Sequence, residues 1–350
     1  MFLSSCLYAF VLTLTFETTF AISPLAENLS GQELVDYVNS RQNLWTAKLN
    51  PRFDSMTVED KMRMTGLKMK TEKGSKNLAE SRFLDIDLPK SFDAREHWPK
   101  CKSIKQIGDQ SHCGSCWAFG AVAAMSDRIC IASKGEVQVS LSAADLLSCC
   151  QDCGEGCNGG SENAAWQFWI KEGIVTGSNY TAKQGCRPYT FPPCEHHTNV
   201  TEYPQCTSLP DYKAPKCEKK CQESYKDKTY DEDKHYGKTF FNVEASVESI
   251  QKELYTNGPL EVAFDVMEDF LHYAGGIYSH QAGGRTPYGH AVKLIGWGEE
   301  NGTPYWTIAN SWNTGWGEHG FFRMIRGQNE CGIESSVVGG LPDLNRTRIN

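Results

Sequence analysis

Apolar and polar positions divide the chain into a helical half followed by a strand half. Small and apolar residues recur at helical spacing from Ser111 to Ser133, which predicts a long helix. Shorter helices are predicted from Ser142, where Ser-Ala-Ala-Asp resembles a capping box, and over Ser161 to Lys171, which Gly173 closes. A further helix is predicted over Val247 to Thr256, just before a Gly-Pro pair.

The strand signal follows in the last third of the chain. Apolar residues alternate or run together over Leu260 to Val266, His290 to Trp297 and Tyr305 to Ala309, which predicts an antiparallel sheet. Residues 186–221, between the two halves, are rich in Pro, Lys, Cys and His and lack an apolar period, so they predict a long loop region. The pattern as a whole predicts an α+β protein without internal repeats.

The N-terminal apolar stretch predicts a signal peptide over residues 1–21. Leu7 to Leu14 contains no Lys or Arg and precedes Thr19-Phe20-Ala21, a small-residue pattern that a signal peptidase accepts. The stretch is shorter than the ~20 apolar residues of a membrane span, and no later segment is long and apolar enough to be one. We therefore expect no membrane span, passage through the secretory pathway, and a lysosomal or extracellular destination.

Residues 22–87 form a polar and charged segment with few apolar anchors. Their Lys-rich end, Lys68 to Lys76, is typical of an exposed linker. One interpretation is a flexible N-terminal extension. The other is a pro-segment that lies on the body of the protein and is cut at the linker, leaving residues 88–350 as the mature chain.

Cysteine content indicates an oxidising compartment. The chain has 15 cysteines, and 14 remain once Cys6 leaves with the signal peptide. If one of them stays a thiolate, the odd remainder leaves at least one more unpaired. Sequons at five asparagines agree with a secretory route. They are Asn28, Asn179, Asn199, Asn301 and Asn345.

Charge argues against a nucleic-acid partner. The formal net charge is −8, and residues 88–350 hold 25 basic and 32 acidic side chains. Proteins that bind nucleic acid through its phosphates present a basic surface instead.

Cys116 is the candidate nucleophile. It lies at the start of the long predicted helix, after a Gly114-Ser115 pair that allows a tight turn. A helix N-terminus and a nearby imidazolium both favour the thiolate, which is the reactive form of cysteine.

The segment Cys113-Gly-Ser-Cys-Trp117 resembles the signature of papain-like cysteine proteases. The resemblance covers Leu88 to about Gly340 and is strongest to the cathepsin B-like branch. Its further motifs are Leu88-Pro-Lys-Ser-Phe-Asp-Ala-Arg95, Cys157-Asn-Gly-Gly160, Arg187-Pro-Tyr, Pro193-Cys-Glu-His-His197, Ala309-Asn-Ser-Trp312 and, in the pro-segment, Trp45-x-Ala47-x-x-Asn50-x-x-Phe53.

This resemblance implies an α+β papain-like fold with a helical left domain, an antiparallel β-barrel-like right domain and the active-site cleft between them. It implies that Cys116 attacks the peptide, that His290 transfers the proton, and that Asn310 orients the imidazole. Gln110 and the Cys116 N–H would form the oxyanion hole. Protein and peptide substrates, inhibition by the chain's own pro-segment until acid weakens its hold, and cystatin-type inhibitors are implied as partners, with no metal or organic cofactor.

An inserted loop is implied by the spacing of these residues. The family places its His and Asn ~130–150 residues after the Cys, whereas His290 lies 174 residues after Cys116. The 186–221 region supplies the excess and resembles the occluding loop of cathepsin B. There His196 and His197 would take the C-terminal carboxylate of a substrate, which implies removal of C-terminal dipeptides beside endopeptidase cleavage.

Two departures from the family pattern affect the cleft. Asp109 retains the partner of the loop histidine, but Gly315 stands where the Asp of a second loop tether is expected, which predicts a loop that opens more readily. Among the implied substrate-binding residues, Ser336 replaces an acidic residue. Arg at the second pocket would then be accepted less well unless Glu162 replaces the lost charge. The implied substrate-binding residues are Gly159, Gly160, His196, His197, Ala291, Trp312 and Ser336.

The resemblance also implies a disulfide connectivity, which sequence alone leaves open. The implied pairs are Cys101–Cys130, Cys113–Cys157, Cys149–Cys217, Cys150–Cys153, Cys186–Cys221 and Cys194–Cys206, with Cys116 and Cys331 free.

Three alternatives remain at this stage. Cys113-Gly-Ser-Cys116 is also a Cys-x-x-Cys motif, as in thiol-disulfide oxidoreductases, although no strand-helix-strand pattern of thioredoxin type surrounds it. Cys113/Cys116 and Cys150/Cys153 have the spacing of zinc ligands. A catalytically inert, protease-like binding protein is the third alternative, and the retention of Cys116 and His290 argues against it.

Overall fold

The fold is described from a computed structural model that covers residues 25–50, 53, 56–67, 86–195 and 202–346. The predicted signal peptide, the Lys-rich linker, His196 and His197 lie outside these residues. Within the described residues, no helix is both long and apolar enough to cross a membrane.

Seven α-helices lie in the described residues, and the longest carries Cys116 at its first position. They are α1 (Gly31–Arg41), α2 (Val58–Met64), α3 (Ala94–His97), α4 (Cys116–Ala132), α5 (Ala143–Cys149), α6 (Glu162–Lys171) and α7 (Val247–Asn257). Ser142, Ser161 and Ser246 cap α5, α6 and α7 by accepting a backbone N–H with their side chains. The four predicted helices are therefore confirmed, but α4 begins five residues later than its apolar period suggested.

Nine strands form one sheet in the described part of the chain. They are β1 (Trp45–Ala47), β2 (Phe92–Asp93), β3 (Gly237–Asn242), β4 (Leu260–Met267), β5 (Tyr273–Tyr278), β6 (Arg285–Glu300), β7 (Thr303–Ala309), β8 (Phe321–Ile325) and β9 (Val337–Pro342). The order is β1-β5-β8-β7-β6-β4-β9-β3, with β2 beside β6. All pairs are antiparallel except β5 with β8. The predicted α+β class is confirmed, although the sheet does not close into a barrel.

Two apolar clusters correspond to the two halves. One surrounds α4, α5 and α6 and contains Trp117, Met125, Leu146 and Trp166. The other covers the sheet, and its members include Phe264, Trp297 and Phe322. Burial of large aromatic side chains in both clusters supplies the main driving force for folding.

Buried ion pairs fix α4 against the strand half. The Asp127 carboxylate accepts a hydrogen bond from Lys293 Nζ on β6 at 2.8 Å. Arg128 Nη1 binds Glu253 Oε1 at 2.9 Å, and its other donors reach the carbonyls of Gly258 and Pro259. Loss of one partner from such a buried pair costs about 3–5 kcal/mol, because the other charge is left unpaired. These pairs therefore hold α4 at a fixed position relative to β6.

Six disulfides brace the helical half and the loop region. The structure forms the pairs that the resemblance implied, namely Cys101–Cys130, Cys113–Cys157, Cys149–Cys217, Cys150–Cys153, Cys186–Cys221 and Cys194–Cys206. Among the described residues, Cys116 and Cys331 are the free thiols. The zinc and dithiol alternatives do not agree with this pairing, because Cys113 is bonded to Cys157.

The N-terminal segment docks on the strand half as an added strand. β1 pairs with β5, and Trp45 Nε1 donates to the Ser279 carbonyl at 2.9 Å. The Asn50 N–H donates to His272 Nδ1 at 3.1 Å, and Phe53 packs edge-on against the same ring. Of the two interpretations of this segment, the structure therefore favours a pro-segment that lies on the body of the protein.

Candidate active site

Cys116 lies at the N-terminus of α4 because the five residues before it form a compact turn. Gly114 donates its N–H to the Cys157 carbonyl at 2.9 Å, and a Cβ on Gly114 would stand 2.6 Å from that oxygen. The Cys113–Cys157 disulfide fixes the same contact. The turn therefore delivers the Cys116 thiol to the end of the helix dipole that favours an anion.

His290 lies on β6 with its ring held by an amide. Its Nε2 is 2.7 Å from Asn310 Oδ1, and the same oxygen accepts the Ser311 N–H at 2.8 Å. Because a backbone N–H needs an acceptor, this second contact identifies the oxygen of the Asn310 amide. His290 Nε2 must then carry the hydrogen.

Aromatic rings enclose this hydrogen bond. Trp312 stacks on the His290 ring with centroids 4.9 Å apart, and Phe264 approaches it edge-on at 5.9 Å. The imidazole and Asn310 are both buried. Exclusion of water strengthens the hydrogen bond and restricts rotation of the ring.

Cys116 and His290 meet across the boundary between the two halves. The N–H of Ala291, the residue after His290, points to Cys116 Sγ at 3.4 Å. Cys116 is fully buried, and burial raises the pKa of its thiol above the usual value, although the Ala291 and Trp117 N–H groups oppose this rise.

Gln110 lies beside the thiol with its side chain fully engaged. Ser311 Oγ donates to Gln110 Oε1 at 2.7 Å, which directs the amide nitrogen toward the cleft. Gln110 Nε2 donates to the carbonyls of Cys113 at 3.0 Å and Thr65 at 3.1 Å. The amide hydrogens that an oxyanion would need are therefore partly taken by the pro-segment.

Residues Met64 to Leu67 of the pro-segment, which follow directly on the end of α2, lie in the cleft. Trp312 Nε1 donates to the Met64 carbonyl at 2.7 Å, and Gly160 donates its N–H to the Gly66 carbonyl at 3.0 Å. Leu67 exchanges two backbone hydrogen bonds with Gly289, at 3.0 and 3.1 Å. A backbone bound by main-chain hydrogen bonds in this way occupies the path that a peptide substrate needs.

The family model described as Papain family cysteine protease matches residues 88–341. The chain belongs to the papain family of cysteine proteases. It is 61% identical over 325 residues to "Cathepsin B-like cysteine proteinase 6" of Caenorhabditis elegans, covering 91% of this chain and 85% of the relative. It is 49% identical to "Cathepsin B-like cysteine proteinase" of Schistosoma japonicum, with 91% and 92% covered.

A solved precursor has the same overall structure. The chain matches "proCathepsin B S9 from Trypanosoma congolense" with a TM-score of 0.75 and 35% identity, covering 89% of this chain and 98% of the other. Similarity within the papain family is therefore to cathepsin B-like proteases, and the match extends over the precursor form.

Leu67 fills an apolar pocket of this protease on one side of the thiol. Its side chain belongs to the cluster that contains Cys116, Trp117, Ala263 and Ala291. Ser336 Oγ donates to Glu162 Oε1 at 3.1 Å, and Glu162 is the first residue of α6.

The loop region is held at its base by Asn313. Asn313 Nδ2 donates both to Asp109 Oδ2 at 3.0 Å and to the Cys194 carbonyl at 2.9 Å. The Gly315 N–H donates to Asn313 Oδ1 and so orients this amide. Among the described residues, the contact at Cys194 ties the loop region to Asp109, while His196 and His197 lie outside them.

Several residues of the site were not found by sequence reasoning. Ser311 was missed as the partner of Gln110, and Met64 to Leu67 were missed as the residues that cross the cleft. Gly66, just before the Lys-rich linker, was the available signal. Its φ of +109° favours glycine, and a Cβ there would overlap the Gly114 carbonyl.

We therefore expect Gly66→Ala to weaken the hold of the pro-segment on the cleft. A backbone strain of roughly 1–3 kcal/mol shifts the equilibrium toward the open form by about 5-fold to 150-fold. The measurement is the rate at which iodoacetamide labels Cys116 in the full-length precursor near neutral pH, with mass spectrometry separating Cys116 from Cys331.

Gly327→Ala is the matched control, since Gly327 also has positive φ but no heavy atom lies within 4 Å of its Cβ position. An unchanged labelling rate in Gly66→Ala, with the control also unchanged, would contradict the role given to Gly66.

Proposed function

We propose that this protease is an acid-active endopeptidase made as a zymogen, with Cys116 as nucleophile and His290 as its proton-transfer partner. The observation that carries the proposal is the position of Cys116 at the N-terminus of α4, against the strand that carries His290 and its Asn310 partner. We further propose that residues 22–87 are the pro-segment and residues 88–350 the mature enzyme.

The reaction follows from this arrangement. The Cys116 thiolate attacks the peptide carbonyl, and the oxyanion receives hydrogen bonds from Gln110 Nε2 and the Cys116 N–H. The His290 imidazolium gives its proton to the leaving amine, which departs and leaves a thioester on Cys116. His290 then removes a proton from water, the hydroxide attacks the thioester, and the acid product leaves as the thiolate returns.

Asn310 keeps the imidazole productive throughout this cycle. Its Oδ1 accepts from His290 Nε2, so the proton that moves is the one on Nδ1. Trp312 and Phe264 exclude water from this bond and hold the ring against Asn310.

The zymogen is inactive for two reasons in this proposal. Residues Met64 to Leu67 fill the peptide path, and the Thr65 carbonyl accepts one of the two amide hydrogens of Gln110. Burial also raises the pKa of the Cys116 thiol, and we expect removal of the pro-segment to expose the thiol and favour the thiolate. We expect the enzyme in the lysosome or outside the cell, with cystatin-type inhibitors as partners.

The first test is hydrolysis of a Phe-Arg fluorogenic peptide at pH ~5–6 by acid-matured enzyme. We expect activity that Cys116→Ala and an epoxide thiol trap both abolish, because each removes the nucleophile. Cys331→Ala is the control for the other free thiol and should keep its activity. If the wild type is inert after its pro-segment has been removed, the result would favour the alternative of a catalytically inert, protease-like binding protein.

C-terminal dipeptide removal is the finer part of the proposal. His196 and His197 would take the terminal carboxylate, and the loop that carries them is anchored by Asn313 at Cys194. Because Gly315 cannot supply the carboxylate of a second tether, the loop should open readily and endopeptidase activity should be prominent.

We expect Asn313→Ala to loosen the loop further and lower the ratio of dipeptide removal to internal cleavage by about threefold. The ratio is measured with a matched pair of quenched peptides, one with a free C-terminal carboxylate and one with an amide. Gly315→Ala, which keeps the Asn313 contacts, is the control. If the Asn313→Ala variant has the same ratio of dipeptide removal to internal cleavage as the wild type, Asn313 does not anchor the loop.

Preference at the second pocket depends on Glu162 in this proposal. Leu67 lies in the pocket as an apolar side chain, so Phe or Leu should bind well there. Ser336 donates to Glu162, which keeps one acidic group near the pocket although position 336 is not acidic. Arg should therefore be accepted through Glu162.

We expect Glu162→Gln to lower kcat/KM for an Arg-Arg peptide by about fivefold and to leave the Phe-Arg peptide nearly unchanged. Ser336→Ala, which removes the hydroxyl and keeps the carboxylate, should affect the two peptides equally. Equal losses for both peptides in Glu162→Gln would show that the Glu162 carboxylate stabilises the first turn of α6 and does not determine the substrate preference.

A further inference from the structure

His112 is a buried histidine at the edge of the cleft that the proposed mechanism does not use. It lies two residues after Gln110 and directly before Cys113, and its side chain is 2% exposed. Ser111 takes a left-handed φ of +59°, and its N–H donates to Asp109 Oδ1 at 2.7 Å. The His112 ring lies beside the loop region, where it interacts with the Pro210 backbone and with Asp211.

A carboxylate from the pro-segment faces this imidazole. His112 Nε2 is 3.6 Å from Asp60 Oδ1 on α2. The other Asp60 oxygen accepts the N–H and the hydroxyl of Thr57, which cap α2. One carboxylate oxygen thus serves the helix cap, while the other faces the cleft wall.

A second charged side chain, Arg63, lies three residues after Asp60 on α2. Arg63 Nη2 is 3.2 Å from Asp211 Oδ2, in the chain that follows the Cys194–Cys206 loop. α2 therefore places the Asp60 carboxylate opposite the His112 imidazole and the Arg63 guanidinium opposite the Asp211 carboxylate. The charged groups that face His112 are Asp60 and Arg63 of α2 and Asp211 of the loop region.

The path of the pro-segment indicates which substrate residues would meet His112. Leu67 fills the apolar pocket, Thr65 lies on Gln110, and Met64 lies on Trp312. Asp60 is one helical turn beyond Met64, on the far side of the reaction centre from that pocket. This is the side of the departing half of the substrate, whose residues are numbered P1′, P2′ and P3′ from the cut bond.

We propose that His112 forms a carboxylate-binding subsite for an acidic side chain of the substrate on the primed side of the cleft. The proposal rests on the proposed protease function and concerns its substrate class. Removal of the pro-segment takes away Asp60 and Arg63 and uncovers the imidazole, and Asp211 remains beside it to meet a neighbouring basic side chain. The preferred peptide carries Glu or Asp within P1′ to P3′.

The chemistry of the pair sets its pH range. Under the pro-segment, burial and then Arg63 lower the pKa of His112, while Asp60, Asp211 and a hydrogen bond with the Pro210 backbone oppose this fall. In the open cleft, an exposed imidazole takes up a proton below pH ~6.5, while a Glu side chain ionises above pH ~4.3. The ion pair between His112 and the substrate Glu therefore exists between pH ~4.3 and pH ~6.5. It is lost above pH ~6.5, because the imidazole gives up its proton there.

The test compares internally quenched peptides with Phe-Arg before the cut, amidated C-termini, and Glu or Gln at P1′, P2′ or P3′ in turn. Amidation removes the terminal carboxylate that His196 and His197 would take. We expect kcat/KM at pH ~5 to favour Glu over Gln by about threefold to fivefold at one of these positions. The ratio should fall to about one at pH ~7.5, following a titration near pH ~6.5.

His112→Gln should bring the ratio to about one at both pH values, and His112→Asp should favour Lys over Gln at the same position. His97→Gln, at an exposed position at the end of α3, is the control and should keep the wild-type ratio. A Glu preference that survives in His112→Gln, or a wild type with no Glu preference at any position, overturns the subsite.

The Gln peptides distinguish failure of the proposed protease function from failure of the proposed subsite. If the wild type cleaves none of them, the proposed function fails and not the subsite alone. Should the His112 variants fold poorly, the pH dependence of the wild-type Glu to Gln ratio still decides, because a flat ratio excludes an imidazole.

Discussion

The contact between the N-terminal end of α4 and β6 is the constraint on which the rest of the structure depends. It brings a thiol from the helical half within 3.4 Å of a backbone N–H beside an imidazole from the strand half. The buried pairs of Asp127 with Lys293 and of Arg128 with Glu253 fix the helix along its length. A buried charge left without its partner is so costly that α4 cannot slide or rotate without large loss of stability.

The same geometry supports the proposed role of the pro-segment as an inhibitor. A cleft that binds extended peptides through main-chain donors cannot distinguish a substrate from its own precursor by those donors alone. Here the Gly160 N–H, the Gly289 backbone and Gln110 Nε2 all bind residues Thr65 to Leu67. The docking of β1 on β5 supplies the additional contact that keeps this segment in place.

The disulfide pairing argues against the two alternative functions of these cysteines, thiol-disulfide exchange and zinc binding. Cys113 is bonded to Cys157, which leaves Cys116 without a neighbouring thiol for redox exchange. Cys150 and Cys153 are bonded to each other, so neither is a thiolate for zinc. The same disulfides rigidify the turn before α4 and the loop region, both of which border the cleft.

Local sequence determined the elements of the fold and the family of the protein. Helical spacing, serine caps and apolar strands predicted α4 to α7, β4, β6 and β7, because these signals depend on neighbouring residues only. The segment around Cys116 indicated the protease through its resemblance to the papain signature, a motif that is contiguous in the chain. Tertiary structure alone decided that Ser311 orients Gln110, that Leu67 fills the apolar pocket, and that Asp60 faces His112. Each of these contacts joins residues distant in the chain, and no local period or propensity records which distant groups the fold brings together.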